Sequence, residues 1–363
     1  MSRAARAVID LSALRHNFHQ VQRAAPGCQV LAVVKSDAYG HGAATCARAL
    51  QEADQLGVAC LEEAVELREA GITAPILLLE GFFEVEELAD IRRLDLQLVV
   101  HRQAQIDALA TLPPGTAPLR VWLKVDTGMH RLGFGVAQAA GAWHRLAACP
   151  AVAEPPGLMT HLACADARGS EATRAQLALF ETLHVPAEVP RSVANSAAVL
   201  AWPQAHADLV RPGIMLYGAS PFAGETAGMQ NLRPVMTLRT RLMALHRCRR
   251  GEAVGYGGDW VCPQDMPVGV AAIGYGDGYP RHAPAGTPVL VDGHRVALIG
   301  RVSMDMICLD LRALPEAAVG DEVVLWGDEL PAEEVAAAAG TIAYELFCGV
   351  SRRVPREYQH ARD

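Results

Sequence analysis

The chain has 363 residues, 51% hydrophobic and 20% charged, enough to bury a large core and to form two domains. Its 32 basic and 40 acidic residues give a formal charge of −8 with no basic cluster, which argues against a nucleic-acid partner; the densest basic spot, Arg247 with Arg249 and Arg250, reads as a solvated strand end. No apolar run reaches the roughly 18 residues of a membrane helix. Met1–Arg6 leads into Val8-Ile9-Asp10-Leu11 without the apolar segment of a signal peptide, so a cytoplasmic protein is expected. Nine cysteines, none spaced C-x-x-C, suit reduced thiols, and with H-x-x-x-H spacing also absent no metal is expected.

From residue 29 to about 218, short apolar runs alternate with amphipathic stretches, the rhythm of repeated βα units. The predicted strands are Val30–Val34, Leu56–Leu61, Ile76–Leu79, Leu96–Val100, Leu119–Val125, Gly157–Leu162, Ser192–Asn195 and Val210–Leu216. Between them fall helical patterns at Ala43–Ala53, Glu62–Ala70, Val85–Arg93, Ala104–Leu109, Val136–Ala148, Glu171–Leu183 and Ala197–Trp202. Eight such units close into a (β/α)8 TIM barrel, which places its chemistry at the carboxyl ends of the strands. Chemically capable residues gather there: Lys35 and Tyr39 after the first strand, Lys124 and Asp126 after the fifth, His161 after the sixth, Asn195-Ser196 after the seventh and Arg211 in the eighth.

Phe222–Gly228 reads as a linker, and from Pro234 the runs turn β-like: Met236–Leu245, Val268–Ile273, Pro288–Val291, Val296–Ile299, Met306–Leu309 and Glu322–Leu325, with a helix at Ala332–Ala339. The expected division is a barrel over 1–230 and a mainly antiparallel β domain over 231–363, residues 1–10 being candidates to pair with the second.

Lys35 closes an apolar run and is followed at once by Gly40-His41-Gly42. An ammonium there is either an ordinary surface charge or an amine whose burial lowers its pKa and frees it for Schiff-base chemistry. The second reading gains from the motifs around it. Ala32–Gly42 (AVVKSDAYGHG), Leu123–Gly133 (LKVDTGMHRLG), Thr160–Leu162, Asn195–Ala197, Arg211–Gly218 (RPGIMLYG), Val254–Gly257 (VGYG), Ile273–Tyr279 (IGYGDGY), Gly300–Asp305 (GRVSMD) and Arg353–Arg356 (RVPR) resemble, in order and over nearly the whole chain, the alanine racemases, barrel-type enzymes that use pyridoxal 5'-phosphate.

The resemblance implies roles residue by residue. Lys35 would bind the cofactor as a Schiff base and serve as one proton-transfer group. Tyr256 would serve as the other, from a partner subunit, which makes the expected assembly a homodimer with shared sites. A phenol of reference pKa about 10 needs neighbouring cations to act as a base. Tyr39, Ser196 and the amides of Gly213 and Ile214 match phosphate contacts, and Asn195 is counted with the cofactor-binding positions; without the resemblance Asn195-Ser196 would read as a helix N-cap. Arg211 matches the residue facing the pyridine nitrogen, with His161 beside it. A guanidinium at that place keeps the nitrogen unprotonated and disfavours transamination. Arg131 and the amide of Met304 match contacts to the substrate carboxylate, and Lys124 matches a lysine that can be carbamylated, its new negative charge then holding Arg131. Asp166, Tyr275, Arg281 and Arg301 match positions at the substrate entrance. Two departures lie near: Ser303 replaces a common cysteine, and Arg352 stands where some members have tyrosine.

The implied activity is interconversion of L- and D-alanine. A serine or broad-range racemase stays open as the nearest alternative, with a basic amino-acid decarboxylase, a non-catalytic pyridoxal-phosphate carrier and an interaction protein further off. Arg211 speaks against the decarboxylase, and the β domain with Tyr256 against the carrier. Whether the chain serves cell-wall synthesis or alanine breakdown is not written in these motifs.

Overall fold

The computed structural model describes residues 3–113 and 117–359; Met1 and Ser2, within the segment expected to pair with the β domain, lie outside them. Eight parallel strands run in the order Leu209–Val210, Gln29–Val33, Gln55–Val58, Ile76–Leu78, Leu96–Val100, Val121–Asp126, Gly157–Met159 and Arg191–Ser192. The ring closes where the Arg211 amide donates to the Ala194 carbonyl at 2.9 Å and Asn195 bridges Arg211. Continuous apolar runs such as Ile76–Leu78, buried throughout, are what a strand covered on both faces requires.

The barrel is therefore the expected one, with several strands shorter than their apolar runs suggest: Leu56–Leu61 yields Gln55–Val58 and Gly157–Leu162 yields Gly157–Met159, and two more change most. The run Val210–Leu216 yields only Leu209–Val210 before Pro212 and Gly213 break it into the 3-10 turn Ile214–Tyr217. The run Ser192–Asn195 shifts to Arg191–Ser192, because Asn195 leaves the ladder to cap the helix Ser196–Ala201, its Oδ1 accepting from the Ala198 amide at 3.0 Å.

A helix absent from the expected elements, Leu11–Ala24, packs against the barrel through Leu11, Leu14, Phe18 and Val21. The spacing is that of one helical face, and each buried side chain contributes about 1.5–3 kcal/mol. Asp10 starts it, Oδ1 accepting from the amides of Ser12 at 2.7 Å and Ala13 at 3.0 Å.

The second sheet runs Met266–Ala271, Ile307–Asp310, His294–Ile299, Pro288–Val291, Glu322–Trp326, Met236–Cys248, Arg6–Asp10, Arg356–Gln359. All its pairings are antiparallel except the last. Arg6–Asp10 pairs with Met236–Cys248 on one side and Arg356–Gln359 on the other, so the first described strand of the chain is built into a sheet made otherwise of its second half. Behind Ala332–Ala339 a further helix, Ala343–Gly349, runs back to the segment that follows Lys35, its Phe347 ring meeting the His41 ring edge-on at 5.2 Å.

Candidate active site

Lys35 does not simply end a strand. It opens a one-turn segment, Lys35–Gly40, in which Ser36, Asp37, Ala38 and Tyr39 all take φ between 53° and 54°, a left-handed turn without a glycine among the four. Left-handed backbone costs an L-residue roughly 1–2 kcal/mol, so the surroundings must hold it. Glu63 spans two strand ends, its Oε1 accepting from the Ser36 amide and its Oε2 from the Ala59 amide, both at 2.7 Å. Asp37 Oδ1 accepts from the Ala43 amide at 2.7 Å. From below, the fully buried His41 donates Nδ1–H to the carbonyls of Ala38 (3.0 Å) and Tyr39 (2.9 Å), and burial lowers its pKa to about 4. The turn sends Lys35 to the barrel mouth and lays the Tyr39 ring against Tyr217, with 4.7 Å between centroids.

Around Lys35 the strand ends converge as expected. Arg211 is buried, and its guanidinium donates to Ser192 Oγ (2.5 Å), to the carbonyls of Thr160 (2.7 Å) and Val193 (3.3 Å), and to His161 Nδ1 (3.3 Å). None of these acceptors is a carboxylate. Burial pushes its pKa to about 10, so it stays charged at neutral pH. His161 is driven well below its ordinary value by burial and by the charges of Arg211, Lys124, Arg131 and Lys35, which leaves it a neutral acceptor for Arg211. Lys124 is pushed down to about 8 by burial and then by Arg211, Arg131 and Lys35. Next to Arg131, Asp126 accepts from the amides of Gly128, Met129 and His130 at 2.9–3.1 Å; these bonds hold its carboxyl below the usual range against the cost of burial.

A cofactor carrying a phosphate suits this donor set. Four cations, Lys35, Lys124, Arg131 and Arg211, act on one neutral imidazole, and Glu80 is the one acid whose charge offsets that on Lys124. Nearby, Ser196 Oγ accepts from the amides of Gly213 (2.8 Å) and Met215 (3.4 Å). Tyr39 comes so close that a Cβ on Gly213 would stand 2.4 Å from its hydroxyl, so only glycine fits. Burial holds the Tyr39 phenol protonated, a donor rather than an anion. The hydroxyls of Tyr39 and Ser196 beside a cluster of cations have the donor chemistry that a phosphate dianion would need.

The other expected site residues lie elsewhere. Tyr256, 68% exposed, sits in the turn Tyr256–Gly258 between the short paired strands Ala253–Val254 and Trp260–Val261. Tyr275 and Met304 are exposed on the same domain, and Arg281 and Arg301 line a cavity of about 370 Å³ with Asp259 and Trp260. Arg301 is paired with Asp259. Among the described residues no hydrogen bond or ion pair joins any of these five to the barrel cluster. Asp166 differs from the other entrance positions: it lies on the barrel rim, where its charge acts on the Tyr344 phenol.

Tyr344 itself was not expected. Its ring centroid lies 6.0 Å from that of Tyr39, on the helix Ala343–Gly349, and it fills the rim beside that ring. A lone tyrosine in Ala343-Tyr344-Glu345 carries no signal until the helix is seen folded back over Lys35. Arg352, by contrast, is exposed in the turn that follows, and Ser303 contributes backbone, its carbonyl accepting from the Tyr275 amide at 3.0 Å.

Comparison with known proteins agrees with this arrangement. The family described as alanine racemase, N-terminal domain, matches residues 9–221, and alanine racemase, C-terminal domain, matches 235–358. The chain belongs to the alanine racemase family. The alanine racemase of Nitrosococcus oceani is 56% identical over 350 residues, spanning 96% of this chain and 98% of that protein. Among solved structures, the biosynthetic alanine racemase of Pseudomonas aeruginosa superposes with a TM-score of 0.94 at 50% identity, covering 99% of this chain and 100% of the other. An alanine racemase from Bartonella henselae with covalently bound pyridoxal phosphate superposes with a TM-score of 0.89 at 28% identity, over 98% of this chain and 99% of the other.

Proposed function

We propose that the protein interconverts L- and D-alanine with pyridoxal 5'-phosphate, as a homodimer in the cytoplasm, with Lys35 and Tyr256 as the two proton-transfer groups. The observation that carries this reading is the buried Arg211, charged and without a carboxylate partner, at the centre of a cation cluster that includes Lys35. When bound, pyridoxal phosphate acidifies the α C–H of an amino acid attached to it. Tyr39, Ser196 and the amides of Gly213 and Ile214 would hold its phosphate, while Arg211, oriented by His161, Thr160 and Ser192, would stand toward the ring nitrogen as a permanent cation with no proton to give. Lys35 Nζ then takes or returns the α-proton on one side.

Racemisation needs a second group on the opposite side, and Tyr256 Oη from the other subunit takes that part. Its exposure here, in a glycine-flanked turn on a separate domain, supports donation across a subunit boundary. Arg131 and the Met304 amide hold the substrate carboxylate. Lys124, with its pKa near 8, has enough neutral amine at neutral pH to add CO2. A carbamate there would exchange repulsion for attraction towards Arg131; difference density at Nζ would reveal it. Tyr275, Arg281, Arg301 and Asp166 line the approach and keep the substrate small.

The test is direct. Protein loaded with pyridoxal phosphate should convert L-alanine to D-alanine and the reverse with equal equilibrium amounts. Absence of D-alanine would sink the reading, and faster turnover of L-serine than of L-alanine would move it to the alternative racemase.

A further inference from the structure

Within the antiparallel domain one buried carboxylate gathers segments that lie far apart in the chain. The Asp277 side chain is fully buried. Its Oδ1 accepts from Arg3 Nε at 3.1 Å and its Oδ2 from Arg3 Nη2 at 2.5 Å and from the Gly274 amide at 3.0 Å, while Arg353 Nε lies 3.5 Å from Oδ1. Both guanidinium groups reach onward to one loop: Arg3 Nη2 donates to the Asp305 carbonyl at 2.6 Å, and Arg353 Nη2 to Asp305 Oδ1 at 2.6 Å. The same turn is fixed by its backbone. The Tyr275 amide donates to the Ser303 carbonyl at 3.0 Å and the Gly276 amide to the Met304 carbonyl at 2.8 Å. From the other side the Ser351 amide donates to the Asp277 carbonyl at 3.0 Å.

The turn Tyr275–Asp277 and the loop Ser303–Asp305 are thus one unit, held by a carboxylate between two arginines that come from opposite ends of the chain. The Tyr275 ring and Met304, both exposed, project from it. A charged group buried to this degree is costly unless paired, and a fork–carboxylate pair fixes orientation as well as charge. Nothing in the barrel cluster depends on it, since none of its hydrogen bonds or ion pairs reaches Lys35, Arg131, His161 or Arg211.

We propose that Asp277 and Arg3 are positioning residues that set substrate affinity and side-chain size selection, by fixing the Met304 amide and the Tyr275 ring for the site of the opposite subunit. The proposal rests on the reading that Met304 and Tyr275 serve that site. Releasing the unit lets both drift against a substrate held on the other chain. The substrate carboxylate then loses a contact, and the approach widens for longer side chains. Loss of one hydrogen bond to a charged carboxylate weakens binding about tenfold, so a rise in KM of about that size is expected.

The experiment uses the holoenzyme with Arg3→Gln and, separately, Asp277→Asn. Arg3 lies at the edge of the fold, so its substitution leaves the domain folded even where the buried change does not. In Arg3→Gln, KM for L-alanine should rise about tenfold with kcat changed less, the preference for alanine over serine should fall, and the visible cofactor band should stay as in the parent. Mixed dimers with a Lys35→Ala chain supply the decisive readout. Their one working site has the barrel of the Arg3→Gln chain faced by an intact Tyr275 unit, so it should show the parent KM. An unchanged KM and alanine preference in Arg3→Gln, or a mixed dimer that keeps the raised KM, would overturn the proposal. A parent protein without racemase activity would instead overturn the functional reading on which it rests.

Discussion

At the mouth of the barrel Arg211, Lys124, Ser196 and Tyr39 are buried and Arg211 is tied down, with Arg131 exposed at the edge; on the face of the antiparallel domain Tyr256, Tyr275 and Met304 all stand in solvent. Arg211 makes four side-chain hydrogen bonds at the barrel mouth, whereas Tyr256 is 68% exposed and, among the described residues, no hydrogen bond or ion pair joins its turn to the cluster. A site meant to bind a cofactor permanently must be preorganised, and burial does that by removing alternatives. On the proposed function, the open surface awaits a second copy of the chain, and the buried and the exposed groups can be disturbed separately.

Lys35→Ala should give the largest effect: loss of the visible cofactor band together with a fall in racemisation on the order of 10⁴-fold or more. A band that survives would mean another amine holds the cofactor. Tyr256→Phe should sharpen the contrast, since it belongs to the exposed half. Racemisation should fall by about 10²–10⁴-fold while the band stays, and solvent deuterium should still enter the α-position of one enantiomer. Near-parental racemisation in this variant would remove the two-base scheme.

Arg211→Glu disturbs the buried half without touching Lys35. Racemisation should fall about a hundredfold, and pyruvate formation from alanine should rise, because a carboxylate would allow the ring nitrogen to be protonated. If pyruvate does not increase, Arg211 has another role.

The smallest effect belongs to His41, beneath the lysine turn. Its pKa is about 4 when folded and 6.5 ordinarily, so between these values the unfolded chain binds the extra proton. Stability therefore falls as pH drops from 6.5 towards 4, by about 3 kcal/mol from this group. Urea unfolding over this range should show a shallower acid slope in His41→Gln; an identical slope would place the acid sensitivity elsewhere.

Much of the barrel half was legible because its residues sit at strand ends: once the apolar runs are spaced, Lys35, Lys124, His161, Asn195 and Arg211 fall on one rim without further information. The left-handed turn was not legible. Ser36 and Ala38 have no intrinsic preference for that conformation, and Glu63, His41, the Asp37 bond to the Ala43 amide and the Ala343–Gly349 helix hold it. Tyr344 was missed for a similar reason, being brought beside Tyr39 by a chain reversal some three hundred residues later in the sequence.

By itself the sequence determined the barrel, the antiparallel domain and the kinds of side chain at the strand ends, because apolar periodicity and local breaks act over a few residues. Tertiary structure alone decided that Asp277 meets both Arg3 and Arg353, that Arg6–Asp10 completes a sheet of the second half, and that Tyr256 stands exposed in a turn of the antiparallel domain. The Arg3–Asp277 pair and the pairing of Arg6–Asp10 with Met236–Cys248 join residues more than two hundred positions apart, where burial and charge pairing choose among partners that local pattern leaves equivalent.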